Sequence, residues 1–232
     1  FGRLLINTVR IAVADLLTFP LPVILALLIN ELKNKKFSKT AQTLLYVPHF
    51  ISTVVICGIV ITLTSSTGAI TEVLHNFFGI KEQALLNNPS NFLPIYILTE
   101  LWQTLGWNSI IYLAALAGVN TSLYEAAKID GAGRLQLIRY VDIPAIMPTC
   151  AILLIMNMGS VLNVGFDKIY LMQNSLNMPA TEVIATYTYK IGIINGQYSY
   201  STAIGLFNTL VNFIFLITAN AIAKRVSDTS IF

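Results

Sequence analysis

The strongest constraint in this chain is a set of five long apolar runs, at 11–29, 44–63, 92–117, 146–164 and 203–223, in which Asp15 and Glu100 are the only formal charges. A helix needs about 20 residues to cross roughly 30 Å of hydrocarbon, and each run meets that length. One water-soluble core cannot hold five such segments. Of the 232 residues, 55% are hydrophobic and 11% charged, against roughly 25% charged in soluble domains. That balance excludes a soluble enzyme, a nucleic-acid binder and a disordered segment. A membrane β-barrel would instead show alternating segments of about ten residues, whereas these runs are apolar on all sides. The expected class is all-α, a polytopic transmembrane helix bundle of five spans. It reads as a single domain over 1–232, since no linker, tandem repeat or low-complexity tract interrupts it.

Orientation follows from the basic residues. Lys33, Lys35, Lys36 and Lys39 fill the first loop, Lys128, Arg134 and Arg139 the third, and Lys224 and Arg225 follow the last run. The opposite side has Arg3, Arg10, Lys81, Lys168 and Lys190. Positive residues concentrate in the cytoplasm, so the first and third loops and the C-terminal end are expected inside. An external start and an odd number of spans lead us to expect one further helix upstream of Phe1. Cys57 and Cys150 lie in or beside apolar runs and read as small hydrophobes. The long external loops, at 64–91 and 167–202, are either functional or plain caps on the bundle. Within the second, the stretch from Thr181 to Lys190 is expected to form a short surface helix.

The third loop, 120–145, is the most specific segment. Ser122 and Glu125 have the spacing of a capping box, Ala126 and Ala127 continue the helix, and Gly131 and Gly133 permit the left-handed backbone that ends it. Pro144 is expected to stop a second short helix. Small residues at Ala126, Ala127, Gly131 and Ala132 let another backbone approach, while Leu135, Leu137 and Ile138 are placed to pack the knob on the spans. Without a partner, the same pattern would be a capped amphipathic hairpin.

The spacing Glu125-Ala126-Ala127, three residues, Gly131, nine residues, then Val141-x-Ile143-Pro144 resembles the EAA loop of binding-protein-dependent ABC importer permeases, with Val141 and Ile143 where that family prefers Ile and Leu. Tyr46-Val-Pro-His-Phe50, Gly165-Phe-Asp-Lys-Ile-Tyr170 and Gln197-Tyr-Ser-Tyr-Ser-Thr-Ala203 are similar to the members associated with oligosaccharide and polysaccharide uptake. The resemblance covers essentially the whole chain. It implies a six-span permease subunit in a bacterial cytoplasmic membrane, lacking its first helix here. It also implies a second permease, two ABC ATPase subunits that bind the ATP and magnesium, and an external or periplasmic sugar-binding protein. Glu125, Ala126, Ala127, Asp130, Gly131 and Pro144 would form the coupling loop, seated in a groove of the ATPase.

No G-x-x-x-x-G-K-[ST] phosphate loop occurs, so hydrolysis would fall to another chain and this one would bind no cofactor. His49 and His75 lack the spacing of a metal site, and His49 reads as a local hydrogen-bonding group. Asp15 and Glu100 are costly in apolar runs and are expected to pair structurally, for example with Arg10 or a partner subunit, more than to act. A sugar path needs amides, hydroxyls and aromatic faces. Trp102, Gln103, Asn108 and Tyr112 offer these in the third run, Asn157, Ser160 and Asn163 in the fourth, and Asn208 and Asn212 in the fifth. Asn108 and Tyr112 share one helix face, as do Asn208 and Asn212; interhelical hydrogen bonding would use the same residue types. Two other classes stay open: a stand-alone ion-coupled transporter, which would tend to show internal repeats, and an integral membrane enzyme, for which no acid, base or ligand cluster converges.

Overall fold

The computed structural model describes residues 1–79 and 83–227, and among these every regular element is helical. Lys81 lies outside the described residues. In order, α1 (Gly2–Thr18) runs into α2 (Pro20–Asn30), with Pro20 at the first position of the second helix, where a missing N–H is harmless. Then come α3 (Lys35–Tyr46), α4 (Thr53–Leu63), α5 (Ala69–Phe78), α6 (Pro89–Ala117), α7 (Thr121–Ile129), α8 (Arg134–Leu137) and α9 (Ile143–Met158). Finally α10 (Phe166–Met172), α11 (Met178–Thr181) and α12 (Ile184–Tyr189) lead to α13 (Tyr198–Ser227).

Three continuous helical stretches are long and apolar enough to cross a membrane: Gly2–Asn30, Arg134–Met158 and Tyr198–Arg225. Two bent pairs raise the number to five if each is one crossing. The run at 44–63 is therefore not the straight helix expected. α3 and α4 meet at 93°, because Pro48 within the 3-10 turn Val47–Phe50 removes a backbone donor and Ser52, in an extended conformation, starts a new helix. The Ser52 hydroxyl accepts from the Val55 N–H at 3.4 Å. The other pair, α6 and α7, bends by 71°.

Pro144 also departs from expectation. The helix continues through it, because the π-helical segment Ile138–Asp142 precedes α9 and puts Pro144 at its beginning. A wider turn there absorbs the missing N–H and the room the ring needs.

The chain forms two compact units. The first comprises Phe1–Leu17, Phe50–Trp102 and Ser160–Val211. Its core joins Ile11 and Ala12 of α1, Cys57 of α4, Phe92 and Tyr96 of α6, and Ile169 and Met172 of α10. The segment between α10 and α13 is tied down as a cap. Asn177 is fully buried and donates to the carbonyls of Leu86 and Met172, each at 3.0 Å. Asn7 reaches from α1 to the carbonyls of Pro179 and Glu182, and the Thr8 hydroxyl accepts from the Ile184 N–H. Consequently the expected surface helix at 181–190 is shorter, at α12, and buries Val183, Ile184 and Thr186. Its hydrophobic residues pack onto α1 instead of facing water.

The second unit comprises Thr18–His49, Gln103–Gly159 and Asn212–Phe232. Ala26, Leu27, Tyr112, Leu116 and Ile146 form its core, with Cys150 packed against it. All nine basic residues of the first loop, the third loop and the C-terminal end fall within its ranges. α3 approaches α6 closely at one point, where a Cβ on Gly106 would collide with the backbone carbonyl of Leu45. His49 ends this stretch with its ring stacked on Trp107, centroids 4.3 Å apart.

The close approach generates a test. Gly106→Ala forces backbone apart and is expected to destabilise the detergent-solubilised protein by roughly 1–3 kcal/mol. Gly58→Ala in α4 meets nothing within 4 Å and should leave the thermal midpoint unchanged or slightly raised. Equal midpoints for the two variants would contradict the helix contact.

Candidate functional site

The knob at 120–145 is built from two short capped helices and a tight turn. Its first helix, α7, is capped two residues before the expected position: Asn120, not Ser122, is the N-cap, its side-chain oxygen accepting from the Ser122 N–H at 3.0 Å. Glu125 consequently sits in the helix body, exposed. At the other end Gly131 has φ of 80°. The Ala132 N–H reaches back to the Ala127 carbonyl at 2.9 Å and the Gly131 N–H to that of Lys128 at 3.0 Å, which is a Schellman closure. α8 then begins at Arg134, with the Gln136 side chain accepting from the Gly133 N–H at 2.7 Å.

The knob is anchored by a contact that no motif announces. The Tyr124 hydroxyl donates to Oδ1 of Asp142, whose side chain is buried at the π-helical segment, and it also engages the side chain of Asn30 at the end of α2. Burial, followed by the hydrogen bond to Asp142 and its charge, pushes the Tyr124 phenol up to about 12. Tyr124 thus remains a neutral donor. Leu137 is buried and Ile138 packs on the core, but Leu135 does not contribute to that packing and is 81% exposed. Leu123, Ile129 and Tyr140 are exposed too. Glu125, Ala126, Asp130, Gly131 and Pro144 are also exposed, with Ala127 half-buried. A Cβ on Gly131 would meet nothing within 4 Å, so this face is open.

The polar residues of the spans divide differently from their sequence grouping. In the first unit, Asn208 donates to Asn163 at 2.7 Å, and both Ser160 and Trp102 are exposed. In the second, Gln103 and Asn212 are buried, and Asn108 and Asn157 are exposed. Tyr112 lies in the core cluster, away from the exposed surface where Asn108 sits. A spacing of four is insufficient to give two residues one environment when a neighbouring helix covers half the face.

Asp15 and Glu100 are both engaged within the first unit. Glu100 pairs with Lys168, a residue expected in a solvent-exposed loop but only 4% exposed. Tyr96 donates to Asp15 at 3.5 Å. Lys190 similarly donates to Gln173 and Glu182.

Residues 18–228 match the family described as the binding-protein-dependent transport system inner membrane component. The chain belongs to this family. It is 43% identical to protein LplB of Bacillus subtilis (strain 168), over the whole of this chain and 73% of that one. It is 41% identical, at the same coverage, to the polygalacturonan/rhamnogalacturonan transport system permease protein YteP of the same organism. The crystal structure of a bacterial ABC transporter involved in the import of the acidic polysaccharide alginate holds a chain 40% identical. That chain matches with a TM-score of 0.93 over 98% of this chain and 80% of its own length. A related crystal structure, of the bacterial alginate ABC transporter in complex with an alginate pentasaccharide-bound periplasmic protein, matches with a TM-score of 0.94 at 39% identity. The chain is thus a membrane transport component of the ABC permease type, and its family is one of transport subunits, not of catalysts. Apolar side chains of α1 and α13, such as Leu17 and Leu206, are exposed, as helices of a membrane component allow.

Tyr124, Asp142 and Lys168 are the residues that sequence reasoning did not single out. An aspartate two positions before Pro144 in an apolar context was the available signal for one of them.

The ion pair generates an asymmetric expectation. Glu100→Leu strands the buried Lys168 and should destabilise the protein by about 3 kcal/mol or more, whereas Lys168→Met leaves a partly hydrated Glu100 and should cost less. The double variant should recover most of the loss. Thermal denaturation of the three proteins in one detergent checks this; a non-recovering double variant would contradict the pairing.

Proposed function

We propose that this chain is the permease subunit of an ATP-driven, binding-protein-dependent importer of oligosaccharides in a bacterial cytoplasmic membrane. Fragments of acidic polysaccharides are the first substrates to try. The single observation that carries the reading is the anchored, exposed knob: a capped helix and tight turn with four large apolar side chains presented outward. Such a surface is costly in water unless a partner covers it. In this reading the partner is an ABC ATPase subunit, with Glu125, Ala126, Ala127, Asp130 and Gly131 at the contact and Tyr124, Asp142 and Pro144 transmitting its movement to α9. ATP and magnesium are bound by two such ATPase chains. A second permease completes the path, and an external sugar-binding protein delivers substrate to the opposite end.

Transport would proceed by alternating access, ATP binding favouring one arrangement of the helices and release the other. Trp102, Gln103, Asn108, Asn157, Ser160, Asn163 and Asn208 supply the polar and aromatic groups for a sugar path, while Tyr112 serves packing. Polygalacturonan and rhamnogalacturonan for one relative, and alginate for the structural neighbour, support the acidic-oligosaccharide choice. The concentration of basic residues in the first loop, the third loop and the C-terminal end supports a cytoplasmic placement of the knob.

Gly131→Val tests the coupling. The new side chain has room, so the effect comes from the left-handed backbone, disfavoured by about 1–2 kcal/mol for a non-glycine residue. Expression should be normal, with oligosaccharide uptake reduced at least about tenfold. Gly133→Ala, at φ of −77° with only Gln136 nearby, should transport normally. Wild-type uptake by Gly131→Val would sink the coupling role.

A further inference from the structure

The lysines of the first loop have so far served only to orient the chain, yet they sit on a well-formed helix. α3 is closed at its start by Asn34, whose side-chain oxygen accepts from the N–H groups of Lys36 and Phe37 at 3.0 and 3.2 Å. None of its residues is fully buried. The half-buried positions are Ser38, Ala41, Gln42, Leu45 and Tyr46, a single stripe at helical spacing that turns toward the protein. The remaining surface divides by chemistry. At about 100° per residue, Phe37 and Leu44 fall within about 20° of each other, and Lys35 and Lys39 lie roughly opposite them, with Lys36 between. Phe37 is 60% and Leu44 68% exposed. From Glu31 to Phe50 the chain has four lysines and one carboxylate, Glu31 itself, which is half-buried and close to Tyr124. Among the described residues no recorded ion pair engages Lys33, Lys35, Lys36 or Lys39.

A helix with one flank against protein, one apolar flank and one basic flank fits the plane of a membrane interface. The apolar flank enters the acyl boundary, and lysine stems reach back to the headgroups. We propose that α3 is a binding site for anionic phospholipid, with Phe37 and Leu44 inserted beside the acyl chains and the ammonium groups of Lys33, Lys35, Lys36 and Lys39 on the headgroup phosphates. Charge complementarity selects the occupant: a zwitterionic headgroup brings a cation of its own to the same lysines, and a glycerol headgroup does not. This inference stands apart from the sugar assignment and from the ATPase contact.

The test uses the protein in the assembly in which it purifies, reconstituted into membranes of equal phosphatidylcholine and phosphatidylglycerol. A trace of either lipid is supplied in photoreactive form, with the diazirine near the headgroup. After illumination, labelled peptides covering 33–47 are quantified. Wild type should incorporate phosphatidylglycerol over phosphatidylcholine by at least about threefold. Lys33→Gln/Lys35→Gln/Lys36→Gln/Lys39→Gln should bring the ratio close to one, and the corresponding four arginine substitutions should keep it. Because losing four lysines can disturb insertion, Phe37→Ser/Leu44→Ser retains every charge and should lower total labelling of the peptide. A wild-type ratio near one, or an unchanged ratio in the glutamine variant, would overturn the site. Absence of labelling with loss of a partner chain from the glutamine variant would instead make α3 a protein contact, and would equally overturn it.

Discussion

Inside hydrocarbon a backbone N–H or C=O has no water to turn to, so the chain crosses only as helix and leaves that conformation only where a local group takes over the freed hydrogen bonds. Several irregularities in this structure have such a substitute. Asn34, Ser52 and Asn120 supply side-chain acceptors at helix starts. The Schellman closure around Gly131 satisfies the end of α7. The π-helical segment Ile138–Asp142 carries the chain past Pro144 without a break. These are also the places where the protein becomes more than a set of parallel crossings: the bend before α4, the knob, and the entry to α9.

The two units use polar groups in contrasting ways. In the first, Asn7, Thr8, Asn177 and the pairs formed by Lys168 and Lys190 are turned inward, so that a long segment after α9 becomes a packed cap. In the second, lysines and arginines stay on exposed positions of α3 and the knob, and the buried exception, Asp142, holds Tyr124. The basic residues of the first loop, the third loop and the C-terminal end thus stay at the surface, whereas Lys168 is withdrawn from it.

What could be read from the sequence was local. The knob's spacing announced a helix, a turn and a second helix, because Gly131 is needed for a left-handed backbone and that requirement does not depend on distant packing. Its N-cap was misplaced, since Asn120 and Ser122 are both good caps and the geometry after Gly118 decides between them. Lys168 was read as a loop charge because its partner, Glu100, is 68 positions away, and only tertiary structure reveals such a pair. Tyr112 was grouped with Asn108 by helical spacing, but α2 and α9 contribute Leu27 and Ile146 around it. Pro144 reads as a stop in one dimension because a proline interrupts a uniform helix, whereas a locally wider one accommodates it.

In the proposed function this chain provides the membrane path and a separate ATPase drives it through the knob. The most direct measurement is uptake of a labelled uronate oligosaccharide into proteoliposomes that contain this chain with its co-purifying subunits and the external binding protein. ATP is enclosed on the side of the knob. Accumulation is expected to require ATP, the binding protein and the ATPase subunits together. Accumulation by this chain in a preparation without ATPase subunits, driven by an ion gradient alone, would contradict it.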